Sequence, residues 1–143
     1  MYQKLTVLTW VCRLFIAGLF IYAGAIKVID PLTFAKQINA YQILPDHLIN
    51  YAAIMLPWIE LYAGFAMLLP VRHLRTAGTL LCLGMLLIFV GAQISVLDRG
   101  LVIECGCFGK SEQVSWPGVC KRVAYVFLAG LSLVGPYSDR DRA

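Results

Sequence analysis

Charged side chains are scarce in this sequence. Asp, Glu, Lys and Arg make up 14% of its 143 residues, where a soluble domain uses roughly 25% to cover its surface. That shortfall excludes an ordinary water-soluble domain. Also missing is any basic run or aromatic-basic face, so the net charge of +4 offers no track for nucleic acid. No Gly/Ser linker, charge block or low-complexity tract divides the chain, and no internal repeat shows. Residues 1–143 therefore read as a single domain. What fills the sequence is apolar: 60% of residues are hydrophobic and the mean hydropathy is +0.76.

That apolar content is grouped. Residues 5–26, 48–69 and 76–97 each form a stretch about 33 Å long as a helix at 1.5 Å per residue, enough for a hydrocarbon core of roughly 30 Å. A fourth stretch, residues 116–137, spans if Lys121 and Arg122 snorkel to the interface. Ala23-Gly24-Ala25 resembles a leader cleavage site, but Arg13 interrupts the apolar run, so residues 5–26 are read as a span. Asp30-Pro31 reads as an N-cap followed by proline at the first helical position. Phe34, Ile38 and Tyr41 then recur at helical spacing, giving a short amphipathic helix over 31–43 on the membrane surface, ended by Pro45. The expected fold is all-α: an integral-membrane four-helix bundle with one interfacial helix between the first two spans. Ala77, Gly84 and Gly91, seven apart, are expected to form a seam where helices approach closely.

Four spans put both termini on one side of the bilayer. Lys4, Arg72, Arg75, Arg140 and Arg142 share that side, against Lys27, Lys36, Arg99, Lys110, Lys121 and Arg122 on the other. The compact turn over residues 70–75, carrying Arg72, His73 and Arg75, decides the orientation, because the positive-inside rule weighs short loops. Here His73 faces water or lipid head groups. The termini are expected in the cytoplasm and loops 31–47 and 98–120 outside, in the periplasm of a bacterial inner membrane.

Arg13 and Glu60 are ionisable residues well inside apolar stretches. Counted from the ends of their spans, both lie about 12–14 Å deep, which predicts that they meet. Such a pair either fixes how the helices assemble or serves as a polar anchor for a quinone head group or a proton relay. Lys27 is expected to snorkel.

Three cysteines fall outside: Cys105 and Cys107 in the stretch Glu104-Cys-Gly-Cys-Phe-Gly109 within the loop 98–115, and Cys120. A C-x-C ring is strained, and a strained disulfide gives up its oxidation easily. The pair therefore suits thiol–disulfide exchange with a periplasmic protein or small thiol, with Cys120 as a possible resolving thiol. Alternatives remain: a structural clip in a non-catalytic anchor or assembly subunit, or a copper or zinc site built from Cys105, Cys107, Cys120 and His47. Cys12 and Cys82, within helices, read as small core hydrophobes.

Arg13, Gly18-Leu-Phe, Ala23-Gly24 and Lys27, then Asp30-Pro31, Phe34, Tyr41 and Leu44-Pro45, resemble the MauE/DoxX-like family of small membrane proteins. Leu56-Pro57-Trp58-Ile59-Glu60 with Gly64 resembles that family's second helix, and the thiol stretch resembles its MauE branch. The resemblance implies a four-helix membrane bundle associated with redox work. It links MauE-like proteins to disulfide formation in a periplasmic dehydrogenase, and DoxX-like ones to thiosulfate:quinone oxidoreduction and thiol-stress complexes. It implies Cys105 and Cys107 as the thiol pair and Arg13, Lys27 and Glu60 as the family's polar signature, the three residues expected to hold a quinone if one binds. Four short helices enclose little volume, so a homo-oligomer or larger membrane complex is expected.

Overall fold

The computed structural model describes residues 2–105 and 112–134. Five α-helices carry the fold: α1 (Tyr2–Ile29), α2 (Pro31–Ala40), α3 (Asp46–Leu68), α4 (Arg72–Asp98) and α5 (Trp116–Val134). A minimal antiparallel ladder, β1 (Glu104–Cys105) with β2 (Glu112–Gln113), sits between α4 and α5. Among the described residues the protein is all-α apart from those two short strands.

Helices α1, α3, α4 and α5 pack in a ring, α1 against α3, α3 against α4, α4 against α5 and α5 against α1, while α2 lies across α3. The core at their centre includes Ile16, Ala17, Phe20, Ala63, Met67, Cys82, Met85, Leu86 and Ala129. Cys12 and Cys82 are buried and behave as the core hydrophobes expected of them. The outside of the ring is apolar as well: Leu14, Tyr22, Ile54, Trp58, Phe65, Leu87 and Ile88 are all exposed. A soluble monomer does not present such a surface. Three helices, over Thr6–Ile29, Asp46–Leu68 and Arg72–Asp98, are long and apolar enough to cross a membrane. This is a membrane protein. Helix α5 is not among those three, and the last residues of the expected fourth span, 135–137, lie outside the described residues.

The close approaches correct the expected seam. A Cβ on Gly24 would lie 2.9 Å from the Pro57 carbonyl oxygen, one on Gly64 3.0 Å from that of Ala17, and one on Gly78 2.9 Å from that of Ala63. Nothing lies within 4 Å of a Cβ built on Gly84 or Gly91. The sevenfold spacing found a real stripe, but no neighbouring helix packs closely on its two glycines. The buried stripe of α4 runs instead through Gly78, Cys82, Met85 and Gln93.

Two boundaries also differ from expectation. Helix α2 ends at Ala40, and Gln42, at φ 51°, takes the left-handed conformation that closes it. The turn between α3 and α4 occupies only residues 69–71, so Arg72, His73 and Arg75 form the first turn of α4.

The start of α2 is as read. The Thr33 N–H donates to Asp30 Oδ1 at 3.1 Å, with proline next in line. Hydrogen bonding from Thr33, helped by the charge of Lys36, holds the Asp30 carboxyl below its ordinary value of 3.8. A depressed folded-state value means that the cap contributes fully above the unfolded value and is lost as pH falls below it. The protection factor of the Thr33 amide, its exchange relative to the unprotected rate at the same pH, is expected to fall on acidification through that range in the native chain. Asp30→Asn, whose side-chain oxygen still accepts, should abolish this pH dependence, and an unchanged dependence would remove Asp30 as its cause.

Candidate functional site

Lys27 lies in the last turn of α1, where a cation is favoured by the helix dipole. Its Nζ donates to Glu60 Oε1 of α3 at 2.5 Å, and the two side chains are 3% and 2% exposed. The ammonium also sits over two aromatic rings, Phe34 of α2 at 4.7 Å and Phe89 of α4 at 5.2 Å. A buried charge needs a partner and satisfied hydrogen bonds, and four elements converge here to supply them.

This arrangement corrects the pairing expected from sequence. Glu60 pairs with Lys27, and Arg13 does not reach it. The reason is register. Gly24 faces Pro57 and Leu61, while Gly64 faces Ala17 and Ile21, so Glu60 lies level with Ala23. Aligning the ends of the apolar stretches had placed it level with Arg13, a slide of about nine residues, or about 13 Å. Lys27 consequently turns inward instead of snorkelling. Arg13, about 21 Å along α1 from Lys27, donates to the Ser132 carbonyl oxygen at 3.0 Å and lies 5.0 Å from the Trp10 ring. Among the described residues, Ser132 is in the last turn of α5. Arg13 therefore ties α5 to α1.

Two cavities flank the charged pair. A small chamber of about 10 Å³ is lined by Phe20, Ala23, Lys27, Glu60, Leu86, Phe89 and Arg122. An apolar cleft of about 470 Å³ opens beside it, between α2, α3 and α4, walled by Phe34, Ile38, Leu56, Ile88 and Phe89, with Gln37, Tyr41 and Ser95 also in its lining. Phe89 lines both cavities, so its ring stands between the cleft and the ion pair. The cleft lies within the size range of small-molecule sites.

The thiol loop belongs to the same end of the molecule. Its described ends leave the C-terminus of α4 and enter the N-terminus of α5. Arg99, capping α4, donates to the Tyr41 carbonyl oxygen at 3.2 Å and so joins the loop's root to the end of α2. Gly100, at φ 67°, turns the chain into β1, and the ladder sets Cys105 opposite Glu112. Residues 106–111, with Cys107, Gly109 and Lys110, lie outside the described residues.

Residues 5–135 match the family model described as methylamine utilisation protein MauE. The chain belongs to the MauE family. Among relatives, it is 32% identical over 123 residues to the methylamine utilisation protein MauE of Paracoccus denitrificans, covering 84% of this chain and 65% of that one. It is 30% identical to the MauE protein of Methylophilus methylotrophus, covering 84% and 63%. For that of Methylorubrum extorquens the identity is 30%, covering 77% and 60%. The chain thus spans just under two thirds of the length of these MauE relatives. No solved structure matches.

Within this MauE chain the remaining candidates are spread around the loop end. Cys120, in the first turns of α5, is an exposed free cysteine, and His47 is exposed at the start of α3. Among the described residues, no three His, Cys, Asp or Glu side chains form a metal-holding group; Cys107, one of the four in the expected metal set, lies outside them. Sequence reading missed Phe89 and Arg122 as neighbours of Glu60. No spacing signals them, because they come from two other helices and meet Glu60 only through helix register.

Proposed function

We propose that this protein is an inner-membrane thiol–disulfide redox protein whose C-x-C pair faces the periplasm. In this reading α1, α3, α4 and α5 are four spans, with both termini in the cytoplasm. Val123, Phe127 and Leu133, exposed and apolar on α5, are the surface a fourth span would show to lipid. Helix α2 lies along the interface, with Phe34 buried and Leu32 exposed.

The observation that carries the reading is the gathering of three features at one end of the helices: the thiol loop, the apolar cleft and the buried Lys27–Glu60 pair. A partner dithiol would reduce the Cys105–Cys107 disulfide by exchange, forming its own disulfide and leaving the pair as two thiols. The relatives' names place them in methylamine utilisation, and a periplasmic redox protein of such a system is the partner class we assign. A membrane quinone, when bound, supplies a two-electron, two-proton acceptor for reoxidising the pair. The cleft fits its ring: apolar walls and two phenylalanine side chains, with Gln37, Tyr41 and Ser95 also among the residues that line it. Lys27 and Glu60 stand behind Phe89 as the charged groups nearest that ring.

Thiol trapping in intact cells tests the proposal. A membrane-impermeant maleimide should label Cys120 alone in untreated cells, and Cys105 and Cys107 as well after mild reduction. Cys12 and Cys82, buried in the helices, should stay unlabelled throughout. Labelling of all three outer thiols without reduction would refute a resting disulfide. No labelling after reduction would refute the orientation. Retention of full function by Cys105→Ser/Cys107→Ser would replace the redox role with that of an anchor subunit.

A further inference from the structure

Glu60 has two carboxylate oxygens, and Lys27 takes only one. Oε2 is buried and accepts no hydrogen bond from a described residue. It belongs to a side chain 2% exposed that lines the small chamber. Leaving such an oxygen unsatisfied is unfavourable, and more so when it is charged. The chamber's volume, about 10 Å³, is close to what one water occupies, and a buried water typically makes about three hydrogen bonds. Its lining offers partners of both kinds: the Glu60 carboxylate as acceptor, and the Arg122 guanidinium and Lys27 ammonium as donors.

We propose that the chamber is a proton-exchange site, in which one water bridges Glu60 Oε2 and Arg122 and delivers protons to and from the Glu60 carboxylate. With Glu60 ionised, it balances Lys27; with Glu60 protonated, the Lys27 ammonium remains over the Phe34 and Phe89 rings. In the step itself, the water gives a proton to Oε2 as it takes one from a hydronium ion of the solvent, so the carboxylate becomes a carboxylic acid, the bridging water is restored and the hydronium leaves as water. Arg122 is the positioning residue. It stands two residues after Cys120 on α5, and its Nη1 donates to the Gly118 carbonyl oxygen at 3.4 Å, so it faces the chamber from the helix that begins at the thiol loop.

The charged and titratable groups around Glu60 are Lys27 from α1, Arg122 from α5 and the Cys82 thiol from α4, while α2 contributes the Phe34 ring. The site deepens the redox reading and rests on it for its purpose, since reoxidising a dithiol releases two protons and reducing a quinone consumes two.

Acid-minus-base infrared difference spectra of the full chain in lipid nanodiscs test the site without any redox partner. A carboxylic C=O band is expected in the native chain and in Cys105→Ser/Cys107→Ser. It should be lost in Glu60→Gln and shifted in Glu60→Asp, which keeps the acid if Glu60→Gln fails to fold. A confined-water O–H band that moves in heavy-oxygen water should disappear in Arg122→Gln while the carboxylic band stays. Absence of a Glu60 band overturns the site. A Glu60 band with no water band, or with a water band indifferent to Arg122→Gln, overturns the bridge. Because the thiol-free variant carries the same bands, failure of the redox reading leaves this result intact, and the reverse holds for the trapping experiment.

Discussion

Lys27→Met is expected to destabilise the protein by about 3–5 kcal/mol, the range for removing one partner of a buried ion pair. The pair is 3% and 2% exposed and bonded at 2.5 Å, far from the solvent that makes surface pairs worth about 1 kcal/mol or less. Without the ammonium, Glu60 must either hold a charge among Phe20, Leu86 and Phe89 or take a proton. Both outcomes cost free energy, and the two phenylalanine rings lose the cation they face. Lys27→Met/Glu60→Leu should recover most of the loss, since replacing a whole buried pair with apolar groups of similar volume is often neutral. Thermal or denaturant unfolding in detergent micelles checks both. The double-mutant cycle gives the coupling directly. A single variant within about 1 kcal/mol of the native chain would show that the pair is solvated and that α1 and α3 do not depend on it.

Gly78→Leu should be the most damaging of the α4 glycine substitutions. A Cβ there would meet the Ala63 carbonyl oxygen, Ala66 Cβ and Met67 N, each at 2.9 Å. Two of these are backbone atoms of α3, so relief requires moving one helix off the other. Forcing extra volume into a close contact costs about 1–3 kcal/mol, sometimes more, and in a membrane the lost helix–helix contact has no hydrophobic driving force to replace it. Gly84→Leu and Gly91→Leu add their side chains where nothing lies within 4 Å. They should be neutral or slightly stabilising, because leucine is the better helix former by under about 1 kcal/mol. Gly91 also lines the cleft, so Gly91→Leu is a stable variant with which to narrow it. Unfolding of the three variants side by side decides the matter. Equal damage at all three would restore the sevenfold seam that the structure rejects.

Much of this architecture is legible along the chain because local rules suffice for it. Three of the apolar stretches are long enough to be spans whatever surrounds them. Asp30-Pro31 marks the start of α2 through its own hydrogen bond and fixed φ. The motif residues carried the family. Even so, the helices run past the ends that hydropathy suggests. Helix α1 continues through Lys27 to Ile29, because a lysine inside a helix is no obstacle once a carboxylate waits for it.

Lys27 and Arg13 show where local rules stop. Both stand out in the sequence as charges in or beside oil, and both had to find partners. Which partner each found was decided by the sliding register of α1 against α3, set by glycine contacts at Gly24 and Gly64. A hydrophobic stretch specifies that a helix is buried in lipid, but it is nearly invariant to sliding along its neighbour. Shape at a few small residues, and the need to pair charges, choose among the registers. The sequence by itself therefore determined the number and type of helices, the family, and the residues that needed explaining. Only the tertiary structure decided that Glu60 belongs to Lys27, that Phe89 and Arg122 complete its surroundings, and that Arg13 holds the far end of α5, because those meetings depend on three-dimensional register that no single helix encodes.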